Sequence, residues 1–158
     1  MMPDRPSVLF VCLGNICRSP LAEAAFRLEA ARAGLDAVID SAGTGHWHVG
    51  EPPDRRAQAV ALRNGLDISG YRARQLASAD FARFTHIVAL DADNLDHMRR
   101  MQPASATARL SLLLDHVPGR QGEAVADPYY GDDSGFDTTW ADVVIGARAL
   151  AERIAADR

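Results

Sequence analysis

The chain has 158 residues, 47% of them hydrophobic and 24% charged, with a formal net charge of −4. That length suits a single domain with a sizeable core, and the charge balance creates no field that would gather nucleic acid or an anionic membrane surface. No run approaches the ~18 apolar residues that cross a bilayer. The two cysteines lie five apart and make no disulfide framework. The opening residues, with Asp4 and Arg5, lack the apolar stretch of a signal peptide, so a reducing, cytoplasmic setting is expected.

In chain order, Val8 to Val11 forms an apolar run suited to a buried parallel strand, and it leads into Cys12-Leu13-Gly14-Asn15-Ile16-Cys17-Arg18-Ser19-Pro20. Pro20 to Ala33 carries Leu21, Ala24, Ala25 and Leu28 at helical spacing and stops at Gly34. Ala37 to Asp40 is a short strand candidate, followed by a polar, aromatic loop to Pro53. Asp54 caps a helix that ends at Gly65. Ser78 to Phe84 reads as a short helix and Thr85 to Leu90 as a strand. Asp91 caps a further helix, which Pro103 ends. Arg109 to Leu114 is the fourth strand. Residues 115–137 are irregular and rich in Gly, Pro and Asp, and a last helix starts near Thr138. Strand–helix alternation of this kind implies an α/β fold: one three-layer domain over residues 1–158, with a central four-stranded parallel sheet and helices on both faces.

Chemistry concentrates where the first strand gives way to a helix. The first N–H groups of a helix have no partner within it and point back into the preceding loop, and with the helix dipole they form an anion site that favours a thiolate. Cys12 supplies the nucleophile and Arg18 a planar fork matched to two phosphate oxygens. The second place is the long irregular segment, with Asp127-Pro128-Tyr129-Tyr130-Gly131-Asp132-Asp133. Asp127 is the candidate general acid, in a loop stiffened by Pro128 and followed by two rings that shield it from water.

These two motifs, in this order, resemble those of the low-molecular-weight protein tyrosine phosphatases. The likeness extends through Asp40-Ser41-Ala42-Gly43-Thr44, Trp47, Asp54, Arg74-Gln75 and Asp91 to Asn94. The resemblance implies that Cys12 attacks phosphorus and that Arg18 holds the equatorial oxygens. It also implies that the amides from Leu13 through Gly14, Asn15, Ile16 and Cys17 to Arg18 complete the cradle. Asp127 would protonate the tyrosyl oxygen and then activate the water that releases phosphate from phosphocysteine. Ser19 would donate to the thiolate, Asn15 and Ser41 would hold the loop's shape, and Trp47, Tyr129 and Tyr130 would rim the pocket. The implied partner is a phosphotyrosine-bearing protein rather than nucleic acid or membrane. No cofactor or metal is expected, and the protein should be a monomer or weak homodimer.

One position departs from the family pattern. Tyr71 stands where many relatives have a histidine that joins the network around Asn15, and a phenol donates a hydrogen bond without carrying a positive charge. Cys17 reads first as a small core residue and alternatively as a thiol that resolves oxidised Cys12. An arsenate reductase on the same scaffold is the rival activity. It relies on further cysteines downstream, and this chain has none after Cys17.

Overall fold

The computed structural model describes residues 5–157. Four strands, β1 (Ser7–Cys12), β2 (Val38–Gly43), β3 (His86–Ala89) and β4 (Arg109–Leu112), form one sheet in the order β2-β1-β3-β4, and every pairing is parallel. The helices are α1 (Arg18–Arg32), α2 (Arg55–Arg63), α3 (Asp80–Arg83), α4 (Ala92–Met101) and α5 (Ser134–Ala156). Strand residues alternate between the two faces. Val8, Phe10 and Cys12 of β1 enter a core with α1, α2 and α5, whereas Leu9 and Val11 enter a second core with Phe81, Phe84, Leu95 and Met98. Strand β1 is buried along its whole length, which is why it reads as a continuous apolar run.

The expected class holds, and several boundaries move. Strand β2 continues past Asp40 to Gly43, because Ser41, Ala42 and Gly43 pair with Phe10, Val11 and Cys12 and Gly43 also bridges to Gln75. Helix α1 begins at Arg18, ahead of Pro20, whose missing N–H costs nothing in a first turn. Strand β4 stops at Leu112, and Leu113–His116 turns into a 3-10 helix. Helix α5 starts at Ser134 instead of Thr138, with Phe136 buried in its first turn. Because β1 is central, with β2 and β3 on either side, its C-terminal end opens where the chain reverses between α1 and the rest of the sheet. Open parallel sheets bind ligands at such a crevice.

Candidate active site

Cys12 is the last residue of β1, and the six residues that follow wrap its sulfur before α1 continues. Asn15 takes φ = 59°, the only left-handed non-glycine among the described residues. That conformation costs energy, and the Asn15 side chain holds it. Its Oδ1 accepts from the Arg74 amide at 3.0 Å, which fixes the amide's orientation and leaves Nδ2 to donate to Ser19 Oγ (2.8 Å) and Ser41 Oγ (3.0 Å).

Hydrogen-bond direction then propagates. Ser41 Oγ donates to Glu23 Oε1 at 2.8 Å, while Arg27 donates to Glu23 Oε2 at 2.8 and 3.2 Å. A carboxylate only accepts, so Ser41 must spend its proton on Glu23 and accept from Asn15. Asn15 in turn donates to Ser19, so the Ser19 proton is free for Cys12 Sγ, 3.0 Å away. The Asn15 amide also donates to Cys12 Sγ at 3.3 Å. The sequence alone points to Asn15, Ser19 and Ser41 but not to Glu23, which is buried beneath them. Burial pushes its carboxyl above the usual glutamate range, against the hydrogen bonds from Arg27 and Ser41. Tyr71 does not bond to Asn15. It lines a cavity of about 200 Å³ behind the loop with Asn15, Glu23, Arg27 and Ser41, and burial together with Glu23's charge pushes its phenol up.

Arg18, only 3% exposed, is gripped by groups that follow β3 and β4 in the chain. Its Nη1 donates to Asp91 Oδ2 at 2.7 Å and to the Val125 carbonyl at 3.0 Å, and its Nη2 lies 3.6 Å from Asp127 Oδ2. Burial works against the charge, but Cys12, Asp91 and Asp127 outweigh it and raise the guanidinium's affinity for its proton. Asp91 thus does two jobs: its Oδ1 caps α4 through the Asn94 amide at 2.8 Å while its Oδ2 aims Arg18. Only the cap is visible in the sequence. Cys17, at the N-cap of α1, makes no side-chain cap and packs into the core. Burial, then the charges of Asp54, Cys12 and Asp127, pushes its thiol up. The Gly14, Ile16 and Cys17 amides donate to no group among the described residues, so the loop keeps donors for an oxyanion.

Above the loop lies a cleft of about 320 Å³, lined by Cys12, Leu13, Gly14, Ile16, Cys17, Arg18, Trp47, His48, Asp127, Tyr129 and Tyr130. The two distant motifs therefore meet in one pocket. Trp47 is 64% and Tyr130 94% exposed, as befits a rim, and the Tyr129 and Tyr130 rings pack edge to face with centroids 4.9 Å apart. Asp127 lines the same cleft, with Oδ1 accepting from the Tyr129 amide at 3.0 Å and Oδ2 turned toward Arg18. His48 is a lining residue that the sequence did not single out. It packs against Gly14 and bonds Glu51 Oε2 through Nδ1 at 2.9 Å.

A thiol beneath free amides, an arginine fixed to present its fork and a carboxyl across a ring-lined slot define an enzyme that transfers a group through an oxyanion. Comparison with known proteins supplies the family. Residues 7–158 match the family model described as low molecular weight phosphotyrosine protein phosphatase, and the chain belongs to that family. It is 43% identical over 157 residues to the Schizosaccharomyces pombe protein of that name, covering 98% of this chain and 100% of the relative. The crystal structure of YfkJ from Bacillus subtilis superposes with a TM-score of 0.91 at 40% identity, covering 99% of this chain and 98% of that one. That of DARP, a Drosophila arginine phosphatase, gives 0.86 at 31%, covering 96% and 99%. No helix among the described residues is long and apolar enough to cross a membrane.

Proposed function

We propose that the protein is a phosphatase that removes phosphate from tyrosine side chains of proteins, and from aryl phosphates generally, through a covalent phosphocysteine. The observation that carries this is the meeting of Cys12, Arg18 and Asp127 around one ring-lined slot. In the first step the Cys12 thiolate, held by Ser19 and the Asn15 amide, attacks phosphorus. The bond from phosphorus to the tyrosyl oxygen breaks, and Asp127 gives that oxygen its proton. Arg18 and the unpaired loop amides hold the three equatorial oxygens as charge builds on them. In the second step a water attacks the phosphocysteine and passes a proton to Asp127, the P–S bond breaks, and thiolate and phosphate are restored. Leu13, Ile16, Trp47, Tyr129 and Tyr130 line the slot with apolar and aromatic surface that suits an aryl ring. The buried, uncrosslinked thiols suit a reducing, cytoplasmic setting, and acting as a monomer or weak dimer leaves the aromatic rim open to a protein substrate.

The test compares turnover of p-nitrophenyl phosphate, a phosphotyrosine peptide and a phosphoarginine peptide by the parent, Cys12→Ser and Asp127→Ala. Cys12→Ser is expected to abolish turnover and block trapping of a phosphoenzyme. Asp127→Ala should lose about 10²–10⁴-fold on the tyrosyl leaving group and far less on nitrophenolate. Residual turnover by Cys12→Ser would sink the covalent route. A phosphoarginine peptide turned over faster than the phosphotyrosine peptide would reassign the substrate.

A further inference from the structure

Upstream of Asp127 the chain is anchored by Val125, whose amide donates to the Leu90 carbonyl and whose carbonyl takes Arg18, and Pro128 beside it is buried, but beyond Pro128 the segment supplies little of its own. Within residues 127–133 the hydrogen bonds are local: the Tyr129 amide to Asp127 Oδ1 and the Gly131 amide to the Pro128 carbonyl. The hydrogen bonds that reach the segment from a distant part of the fold, among the described residues, come from Arg56 in the first turn of α2. Its Nη2 donates to the Tyr129 carbonyl at 3.0 Å and its Nη1 to the Gly131 carbonyl at 3.3 Å. The same guanidinium lies over the Tyr129 ring, 5.7 Å from its centroid, and over buried Phe136, 4.7 Å from its centroid. Arg56 is itself fixed. Asp54 takes its Nε at 3.1 Å and its Nη2 at 3.1 Å, and the Asp54 amide donates to the Ile16 carbonyl of the nucleophile loop at 2.8 Å. A continuous path therefore runs from Ile16 through Asp54 and Arg56 to Tyr129 and Gly131, which flank the acid.

We propose that Arg56 is the positioning residue of the acid loop, holding Asp127 at the height of the leaving oxygen and Tyr129 flat against the substrate ring. This rests on Asp127 being the general acid. Arg56 touches neither phosphate nor leaving group, so its contribution is geometric, and geometry of this order decides whether a proton is within reach at the transition state. A planar fork that bonds two carbonyls and stacks on two rings at once is a task for arginine that lysine does not fulfil.

The readout is the ratio of kcat/KM on phenyl phosphate to kcat/KM on p-nitrophenyl phosphate, which isolates the steps through loss of the leaving group and cancels differences in folded fraction, measured for the parent, Asp127→Ala, Arg56→Ala, Arg56→Lys and Asp54→Asn. Arg56→Ala is expected to lower the ratio about tenfold, a fraction of the general-acid effect, and to raise KM for a phosphotyrosine peptide as Tyr129 loosens. Arg56→Lys should fall between the two. Asp54→Asn keeps a good helix cap but frees the guanidinium, and should shift the ratio in the same direction by less. Ratios equal to the parent's in both Arg56→Ala and Asp54→Asn, with a low ratio in Asp127→Ala, overturn the positioning role alone. A parent-like ratio in Asp127→Ala overturns the assignment of the acid and this inference with it.

Discussion

Residues 12–18 are tied into the molecule through Asn15 to buried Ser19, Ser41 and Glu23, and through buried Arg18 to half-buried Asp91 and the Val125 carbonyl. Residues 127–133 are hydrogen-bonded to a distant part of the fold through one partly exposed arginine, with Pro128 buried and Asp127 Oδ2 3.6 Å from Arg18 as the other points of attachment. The oxyanion cradle must be in place before charge develops, so rigidity there contributes directly to transition-state stabilisation. On the proposed mechanism the 127–133 loop has to admit a protein-borne ring and only then present a proton, so a segment held at few points suits it. Stiffness thus follows the chemical task, and the same kind of substitution should have opposite consequences in the two places.

The sharpest contrast is a methyl group added beside each loop. A Cβ on Gly43 would stand 2.8 Å from the Leu13 carbonyl oxygen and 3.1 Å from the Gly14 carbonyl carbon, backbone atoms that cannot rotate away. Gly43→Ala is expected to destabilise the protein by about 1–3 kcal/mol in denaturant melts. It should lower kcat by well over tenfold on p-nitrophenyl phosphate and on a phosphotyrosine peptide alike, because the cradle serves every leaving group. A loss confined to the peptide would contradict a rigid cradle.

Glu23→Gln tests the direction of the hydrogen-bond chain with almost no change of shape. Arg27 demands an acceptor, so the glutamine oxygen must face it and the amide must face Ser41, which leaves Ser41 Oγ accepting from two amides and its own proton without the Glu23 acceptor. The expected cost is about 1–3 kcal/mol of stability, with a kcat loss smaller than that of Gly43→Ala. Glu23 also carries a pH signature. Its folded carboxyl is raised above the ordinary 4.5 by burial, so the folded state holds that proton more tightly than the unfolded chain does. The resulting stabilisation is complete below 4.5 and is lost as pH rises through the raised value. Orienting Ser41 requires the ionised form, so activity should climb over the same window in which this stabilisation fades. A Glu23→Gln enzyme with the parent's acidic limb in its pH–rate profile would remove Glu23 from the chain.

What the sequence conveyed and withheld follows the same division. That Cys12, Arg18 and Asp127 share one cleft is legible because those residue types stand in two motifs of recognisable spacing. Strand β1 is legible because both of its faces are buried. The end of β2 is not, since Ser41 and Gly43 are poor strand formers and are extended only because β1 and Gln75 pair with them. Glu23 on a helix and Arg56 beside a cap both read as solvent-facing charges. Their roles appear only when Ser41 and the 127–133 segment arrive from elsewhere in the chain. His48 carries no signal of its own, because its place in the cleft depends on how residues 44–53 fold back over Gly14. Tyr71 makes no hydrogen bond to Asn15, which has spent both its amide protons and its carbonyl on Ser19, Ser41 and Arg74, and it borders the network instead through the cavity it shares with Glu23 and Arg27.

The smallest expected effect lies on the acid side. A Cβ on Gly135 would meet Pro128 Cβ at 3.6 Å, an ordinary contact with the loop that carries Asp127, and Gly135 sits in the first turn of α5. Replacing a helical glycine of ordinary φ by alanine reduces the freedom of the unfolded chain, so Gly135→Ala should stabilise the protein by about 0.5–1 kcal/mol. The tip of the loop has similar room, for a Cβ on Gly131 finds only the Pro128 carbonyl oxygen at 3.7 Å. Turnover of both substrates by Gly135→Ala should stay within about twofold of the parent, because Arg56 rather than tight packing sets the position of Asp127. A tenfold fall on the peptide with an unchanged melt would mean that the acid loop is specified as closely as the cradle, and the division of labour between the two loops would be lost.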